Sequence, residues 1–290
     1  MSSPTETDLP RLARRCWGAL EMLQAVGWLA PQPAAAYAEH GLKGRVGYFA
    51  ARSAPLGKVG AGVVTATFYV FSPSLVAHAI PAAWERISPA DMVALRYRVV
   101  PDTIREVLGE AVDDIRLAEA AALSRTACDA LSMPGRPLYA AHSLLDWPDD
   151  PMGALYHAAV LLREHRGDGH VAALVQAGLD PVEALVLDGL FSGSTEFVRK
   201  TRGWSDQEWA TGHVRLRDAG LITGDHEPAL TDEGLARRKQ LERATDVAAL
   251  VGWRALGIDG CQALLGLLAP LREPIVASGV LPGWIGRRGA

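Results

Sequence analysis

Apolar positions recur at helical spacing along most of this chain. In DLPRLARRCWGALEMLQAV, residues 8–26, Leu12, Cys16, Leu20 and Leu23 share one helix face. Asp8 is placed to cap that helix and Pro10 suits its first turn. A second helix is expected after Pro33, through AAAYAEHGL, with Gly41 as its stop. Residues 45–87 are broken at Pro55-Leu56-Gly57 and again at Phe71-Ser72-Pro73, which gives three short helices in succession. VVTATFYV has strand propensity but lacks alternation, so it reads as helix. Residues 89–109 and 111–131 form two longer helices, and the proline-rich segment 133–151 closes the first half.

The second half opens with PMGALYHAAVLLREHRGDGHVAALVQA, residues 151–177, a helix of core character that carries a dense run of charge. Asp180-Pro181 starts a helix to about Leu190, residues 194–202 supply a short one, and Ser205 caps SDQEWATGHVRLRDAGL. Leu221 and Ile222 precede the polar turn TGDHEP. Leu230-Thr231-Asp232 then enters the long helix EGLARRKQLERATDVAALV, and CQALLGLLAPLREPIVASG forms a final apolar helix.

Three compact helices, a strand–turn–strand and a return helix are the order of a winged helix-turn-helix domain. LRDAGLI, ALTDEG and RRKQLERATD resemble the MarR-type winged-helix proteins over residues 151–275. In that likeness residues 151–177 take the place of the first long helix, which implies an interface between two units. The whole chain, with its APLG, FYVF and REHRGDGHVA blocks, also resembles an actinobacterial helix-turn-helix-like family of unknown function. A weak internal repeat fits the same scheme. Phe71-Ser72-Pro73 matches Trp204-Ser205-Asp206 as an aromatic followed by a cap, each with two short helices before it and one after. The expected fold is therefore mainly α, with two fused winged-helix-like (MarR-type) halves. Residues 1–149 form the first, degenerate half, and residues 150–290 the second, which keeps a small β-wing.

Charge changes the functional picture. The MarR likeness implies DNA readers, whose third helix offers Arg, Lys, Asn or Gln. Here that helix carries Asp206, Glu208 and Asp218 against Arg215 and Arg217, with Gln207 and His213 besides, and the wing holds Asp225 and Glu227. Carboxylates facing phosphate oppose the counterion release that drives such binding. The formal charge of −4 adds no global basic field. Nucleic acid is thus possible as a partner but disfavoured. Three scattered cysteines, no apolar leader behind the first charges and no run of about 18 apolar residues point to a cytoplasmic protein with no membrane partner.

The charged run places His157, Leu161, Glu164 and Asp168 on one stripe and Tyr156, Arg163, Arg166 and His170 on the other, with His165 between. These groups either pair structurally or form a site, with Glu164, His165 and Asp168 as an acid/base group and Arg163 and Arg166 holding an anion. Arg52, His142, His157 and His170 would line it. Tyr69 and Trp84 would line the same groove or fill the core. Metal binding would need His157 and Glu164, two turns apart, to converge through a break near Gly167 or Gly169, so no metal is expected. No cofactor is expected either, and Ser53, Ser143 and Cys128 lack a nucleophile's context. The expectation is a small-molecule-binding protein, monomer or homodimer, with its site between the halves and room for non-redox acid/base or elimination chemistry. The alternative is a ligand-responsive DNA-binding regulator using Gln207, His213, Arg215 and Arg217.

Overall fold

The main core is built by the long helices α1 (Leu9–Leu29), α7 (Asp114–Asp129), α9 (Pro151–Gln176) and α13 (Asp232–Leu268). The structure, a computed structural model, describes residues 9–109, 113–224 and 227–283. Leu20 and Leu23 of α1, Leu117 of α7, Leu155 and Tyr156 of α9, and Trp253 and Leu264 of α13 fill this core together. Both halves of the chain therefore contribute to one apolar interior. Asp8, the expected first cap, lies outside the described residues.

Two smaller apolar clusters flank the bundle. The first collects α2 (Pro31–Glu39), α3 (Arg45–Ser53), α4 (Ala61–Phe68), α5 (Pro73–Ala79), the start of α6 (Pro89–Leu108), and Leu138 of α8 (Pro137–Ser143). VVTATF is thus helical, and the segment 133–151, expected as a proline-rich closure, contains a two-turn helix. The second cluster collects α10 (Pro181–Ser192), α11 (Thr195–Thr201), α12 (Asp206–Asp218), the strands β1 (Ile222–Thr223) and β2 (Ala229–Leu230), and the start of α13. The strands pair antiparallel, Ile222 with Leu230 and Thr223 with Ala229. The turn residues 225–226 lie outside the described residues.

The two flanking clusters meet at their aromatic-cap motifs. The Ser72 amide donates to the Arg202 carbonyl at 2.9 Å, and the Trp204 indole donates to the Val70 carbonyl at 2.9 Å. Arg202 also stacks on Phe71 at 4.6 Å. Tyr69, held at φ 58°, donates its hydroxyl to the Leu179 carbonyl at 2.5 Å. Near the end of the chain, the long helix and the apolar helix expected after it run on as α13, bent at Gly257, whose φ of 75° only glycine adopts without strain. The short α14 (Arg272–Ala277) follows. Among the described residues no single helix is long and apolar enough to cross a membrane.

Candidate functional site

Helix α9 starts where Asp150 caps it, accepting from the Gly153 amide at 2.6 Å with Pro151 in the first turn. It runs unbroken through Gly167 and Gly169, so neither glycine kinks it. Gly169 has a packing reason: a Cβ there would collide with the Arg136 guanidinium. Arg136 lies against α9, donating to the His165 carbonyl at 2.6 Å and to the Ala248 carbonyl at 2.8 Å.

The charged run is buried, and its charged groups have protein partners. Glu164 is 0% exposed and takes a bidentate grip from Arg52, at 3.0 and 2.7 Å, with Arg163 donating at 2.9 Å. Burial alone would raise its carboxyl, but Arg52 and then Arg163 hold it far below the usual range. Asp168 accepts the Tyr139 amide at 2.9 Å and so satisfies an orphan donor in the first turn of α8. Burial pushes Asp168 up to about 6, with that amide partly opposing. His165 sits edge-on to Tyr139 at 5.1 Å and is lowered to about 4 by burial and by Arg136. Glu164, His165 and Asp168 share no hydrogen bond with one another, so this arrangement gives no acid/base relay among the three.

The other candidates separate in the same way. Arg166 stacks on Trp17 at 4.2 Å and binds Asp246 at 2.8 Å and Glu242. His170 faces the Thr245 hydroxyl at 2.9 Å, which itself donates to the Leu241 carbonyl at 2.8 Å, so the imidazole Nδ1 carries the proton. Burial, with Arg238 and Arg166, lowers His170 to about 4. Trp84 belongs to the first flanking core and donates to the Val59 carbonyl at 2.9 Å, while Tyr69 serves the contact between the flanking clusters. Neither reaches the charged run.

His142 and His157 lead elsewhere, to a cluster that the spacing argument did not select. Arg96 of α6 is 0% exposed; it donates to the Tyr156 hydroxyl at 2.7 Å, the Ala51 carbonyl at 3.3 Å and His142 Nε2 at 3.2 Å. His142 Nδ1 donates to the Leu138 carbonyl at 2.8 Å, and burial, then the Arg96 charge, lowers the ring to about 3. The Arg96 guanidinium stacks on Trp28 at 4.6 Å, and Trp28 meets Tyr48 edge-on at 5.1 Å. Tyr48 in turn accepts from Arg52 at 3.3 Å. Next to it, Tyr97 meets His157 Nδ1 at 2.5 Å, and burial lowers His157 to about 4.

This cluster is incomplete. Arg96 Nη2, the indole nitrogen of Trp28, both amide atoms of Gln24, the Tyr37 hydroxyl and His157 Nε2 are buried without a hydrogen-bond partner among the described residues. Each such atom costs about 1–3 kcal/mol if left unpaired; Trp28, Tyr37 and His157 all neighbour Arg96 and Gln24 lies one turn before Trp28 on α1, so the group calls for an explanation. The sequence did carry a signal for it. Trp17, Glu21, Gln24 and Trp28 repeat at spacings of four, three and four on α1, a polar and aromatic stripe on a helix otherwise read as core.

The third helix of the second flanking cluster is largely self-neutralised. Ser205 and Glu208 form a capping box at the start of α12, and Arg199 donates to Asp206 at 2.6 Å. Arg215 is held by Glu183 at 2.9 Å and by Asp180. Arg217 donates to the Gly224 carbonyl at 3.4 Å, Gln207 is exposed, and His213 lies half-buried 6.1 Å from Trp209. A groove of about 250 Å³ between α10 and α12 is lined by Pro181, Val182, Trp204, Gln207, Thr211 and Arg215.

Comparison with known proteins matches residues 13–282 to a model described as a helix-turn-helix family. No curated protein and no solved structure matches the chain.

Proposed function

The chain belongs to this helix-turn-helix family, and on that premise we propose that it is a small-molecule-binding protein whose site lies at the junction of two fused winged-helix-like halves. The observation that carries this reading is the group of unpaired buried polar atoms on Gln24, Trp28 and Arg96, beside Tyr156 of α9. They sit where α1 and α6 of the first half meet α9 of the second. A polar ligand seated among these groups would supply the partners that the fold withholds.

A pseudo-twofold arrangement supports the fused-halves part of the proposal. If α1 corresponds to α9, and α6 with α7 to α13, then the packing of α1 on α13 is the counterpart of α9 on α7, and both contacts are present. The matched motifs Phe71-Ser72 and Trp204-Ser205 lie against each other, as positions near such an axis must.

The same contact weighs against the regulator reading. Two recognition helices on one duplex face enter grooves about 34 Å apart. Here the segments leading into α5 and α12 are hydrogen-bonded together. With 7 and 13 residues, the helix centres lie only about 5 and 10 Å from their own starts at 1.5 Å rise per residue, so joined starts bring the two helices closer together than that spacing. Family membership is the observation that favours a DNA-binding, ligand-responsive regulator as the second reading, with Gln207, His213, Arg215 and Arg217 as its contacts. It requires retardation of DNA from the chain's own gene region at physiological salt, lost in the double variant Arg215→Ala, Arg217→Ala.

The ligand-binding reading is tested by thermal unfolding of the full chain with the dialysable fraction of a cell extract. The expected result is a higher midpoint for the natural protein and none for Gln24→Leu. Equal responses of the two proteins, or no response from either, would contradict it.

A further inference from the structure

The chemistry of the ligand follows from Arg96. A guanidinium keeps its proton at any pH the fold tolerates, so this fully buried group cannot shed its charge. Its hydrogen-bond partners are all neutral: a phenol, a peptide carbonyl and the unprotonated nitrogen of His142. The rings of Trp28, Tyr156 and Tyr97, at 4.6, 5.5 and 5.9 Å, give it cation–π contacts but no counter-charge. Among the described residues no carboxylate pairs with it. Glu164 is taken by Arg52 and Arg163, and Glu21 faces Arg163 at 3.5 Å. Arg96 is therefore a buried cation with no carboxylate partner among the described residues, and it keeps an open donor at Nη2. A buried ion without compensation is among the heaviest penalties a core can carry.

The unpaired groups around it are mostly donors. Gln24 and Trp28 lie one turn apart on α1 and offer an amide N–H and an indole N–H, and Arg96 offers Nη2. Trp28 and Tyr48 are only half-buried, so their rings bring the cluster to the surface at the end of α1. An uncompensated positive charge, open donors on Arg96 and on its neighbour Trp28, and aromatic walls fit a small molecule with a single negative charge, planar acceptor oxygens and an apolar body. Building on the ligand-binding reading, we infer that the site takes a small organic acid as its carboxylate. One oxygen would sit on Arg96 Nη2, and the N–H groups of Gln24 and Trp28 would serve the remaining acceptors.

The test is a thermal-unfolding titration of the full chain with sodium butyrate, against butyramide, which has the same shape without the charge, and against sodium chloride at matched ionic strength. Butyrate is expected to raise the midpoint saturably. Butyramide should bind at least about tenfold more weakly, the worth of one charge-assisted hydrogen bond. Arg96→Gln should abolish the butyrate response. Trp28→Phe, which keeps the stacking ring and removes only the N–H, should weaken it several-fold in a protein that folds normally. Butyrate behaving like chloride would overturn the inference, as would butyramide matching butyrate. In either case a response to the dialysable extract that is lost in Gln24→Leu leaves the ligand-binding reading standing, and its absence removes both.

Discussion

Two polar regions meet in the core of this protein, and they are opposites. Along α9, Glu164 is gripped by Arg52 and Arg163, Arg166 by Glu242 and Asp246, and Asp168 by the Tyr139 amide. Between α1 and α6, Gln24 and Arg96 are fully buried and Trp28 half-buried, and each keeps atoms with no partner among the described residues. The first region has the higher density of charge and spends it on holding helices together. The second has few charges and leaves its donors open. Density of ionisable side chains in a sequence is thus a poor guide to a site, because pairing removes most of what makes a charge available. The unsatisfied remainder is the better guide.

The largest expected effect separates the regions by stability. Glu164→Gln leaves Arg52 and Arg163 facing a neutral amide in the core, and denaturant unfolding should show a loss of about 3–5 kcal/mol. If the loss is below 1 kcal/mol, on the scale of an exposed pair, the α9 region is not the structural one.

Titration is the next discriminator. His142 is held at about 3 and His157, His165 and His170 at about 4, so each is neutral when folded and takes up a proton on unfolding. Their stabilisation is complete above their ordinary pKa, about 6.5, and is lost as pH falls through the folded values. Asp168 runs the other way. Its folded value of about 6 lies above the ordinary 3.8, so its contribution is present at low pH and lost as pH rises through 6. Near pH 5 unfolding should therefore take up about three protons, read from the slope of stability against pH. A flat profile between pH 6.5 and 4.5 would show that these rings are hydrated rather than buried. Asp168→Asn, which keeps the acceptor for the Tyr139 amide, should gain about 1–2 kcal/mol at neutral pH.

The smallest expected effect is the most specific to the open region. In dialysed protein, Gln24→Leu removes two unpaired buried atoms at nearly constant volume. It should be neutral or stabilise by about 1 kcal/mol, opposite in sign to Glu164→Gln. A loss of 2 kcal/mol or more would mean that the Gln24 amide is paired within the ligand-free fold.

Much of the fold was legible in the sequence, because helix caps and breaks act locally. Ser72, Asp180 and Ser205 each accept an amide at the helix start expected there, and the short hairpin sits between Leu221 and Thr231 where the polar turn was expected. The proline-rich segment hid α8 because its first turn borrows Asp168 from a distant helix. The site was less legible. Helical spacing put the charged groups of α9 on two stripes, but it could not show that Arg52, Arg136 and Tyr139 arrive from elsewhere in the chain to occupy them. Nor could it show that Arg96, a single arginine between Leu95 and Tyr97, ends without a carboxylate partner among the described residues. Both outcomes depend on tertiary partners, and only the stripe of Trp17, Glu21, Gln24 and Trp28 on α1 announced the second region in one dimension.

The most direct measurement of the central claim is a near-atomic-resolution crystal structure of the full chain, grown after incubation with the dialysable extract. The expected result is an ordered non-protein group within hydrogen-bond distance of Arg96 Nη2 that also reaches the Gln24 amide or the Trp28 indole N–H. The contradicting result is a core in which those side chains have turned to pair with protein atoms, leaving Arg96 with no open donor.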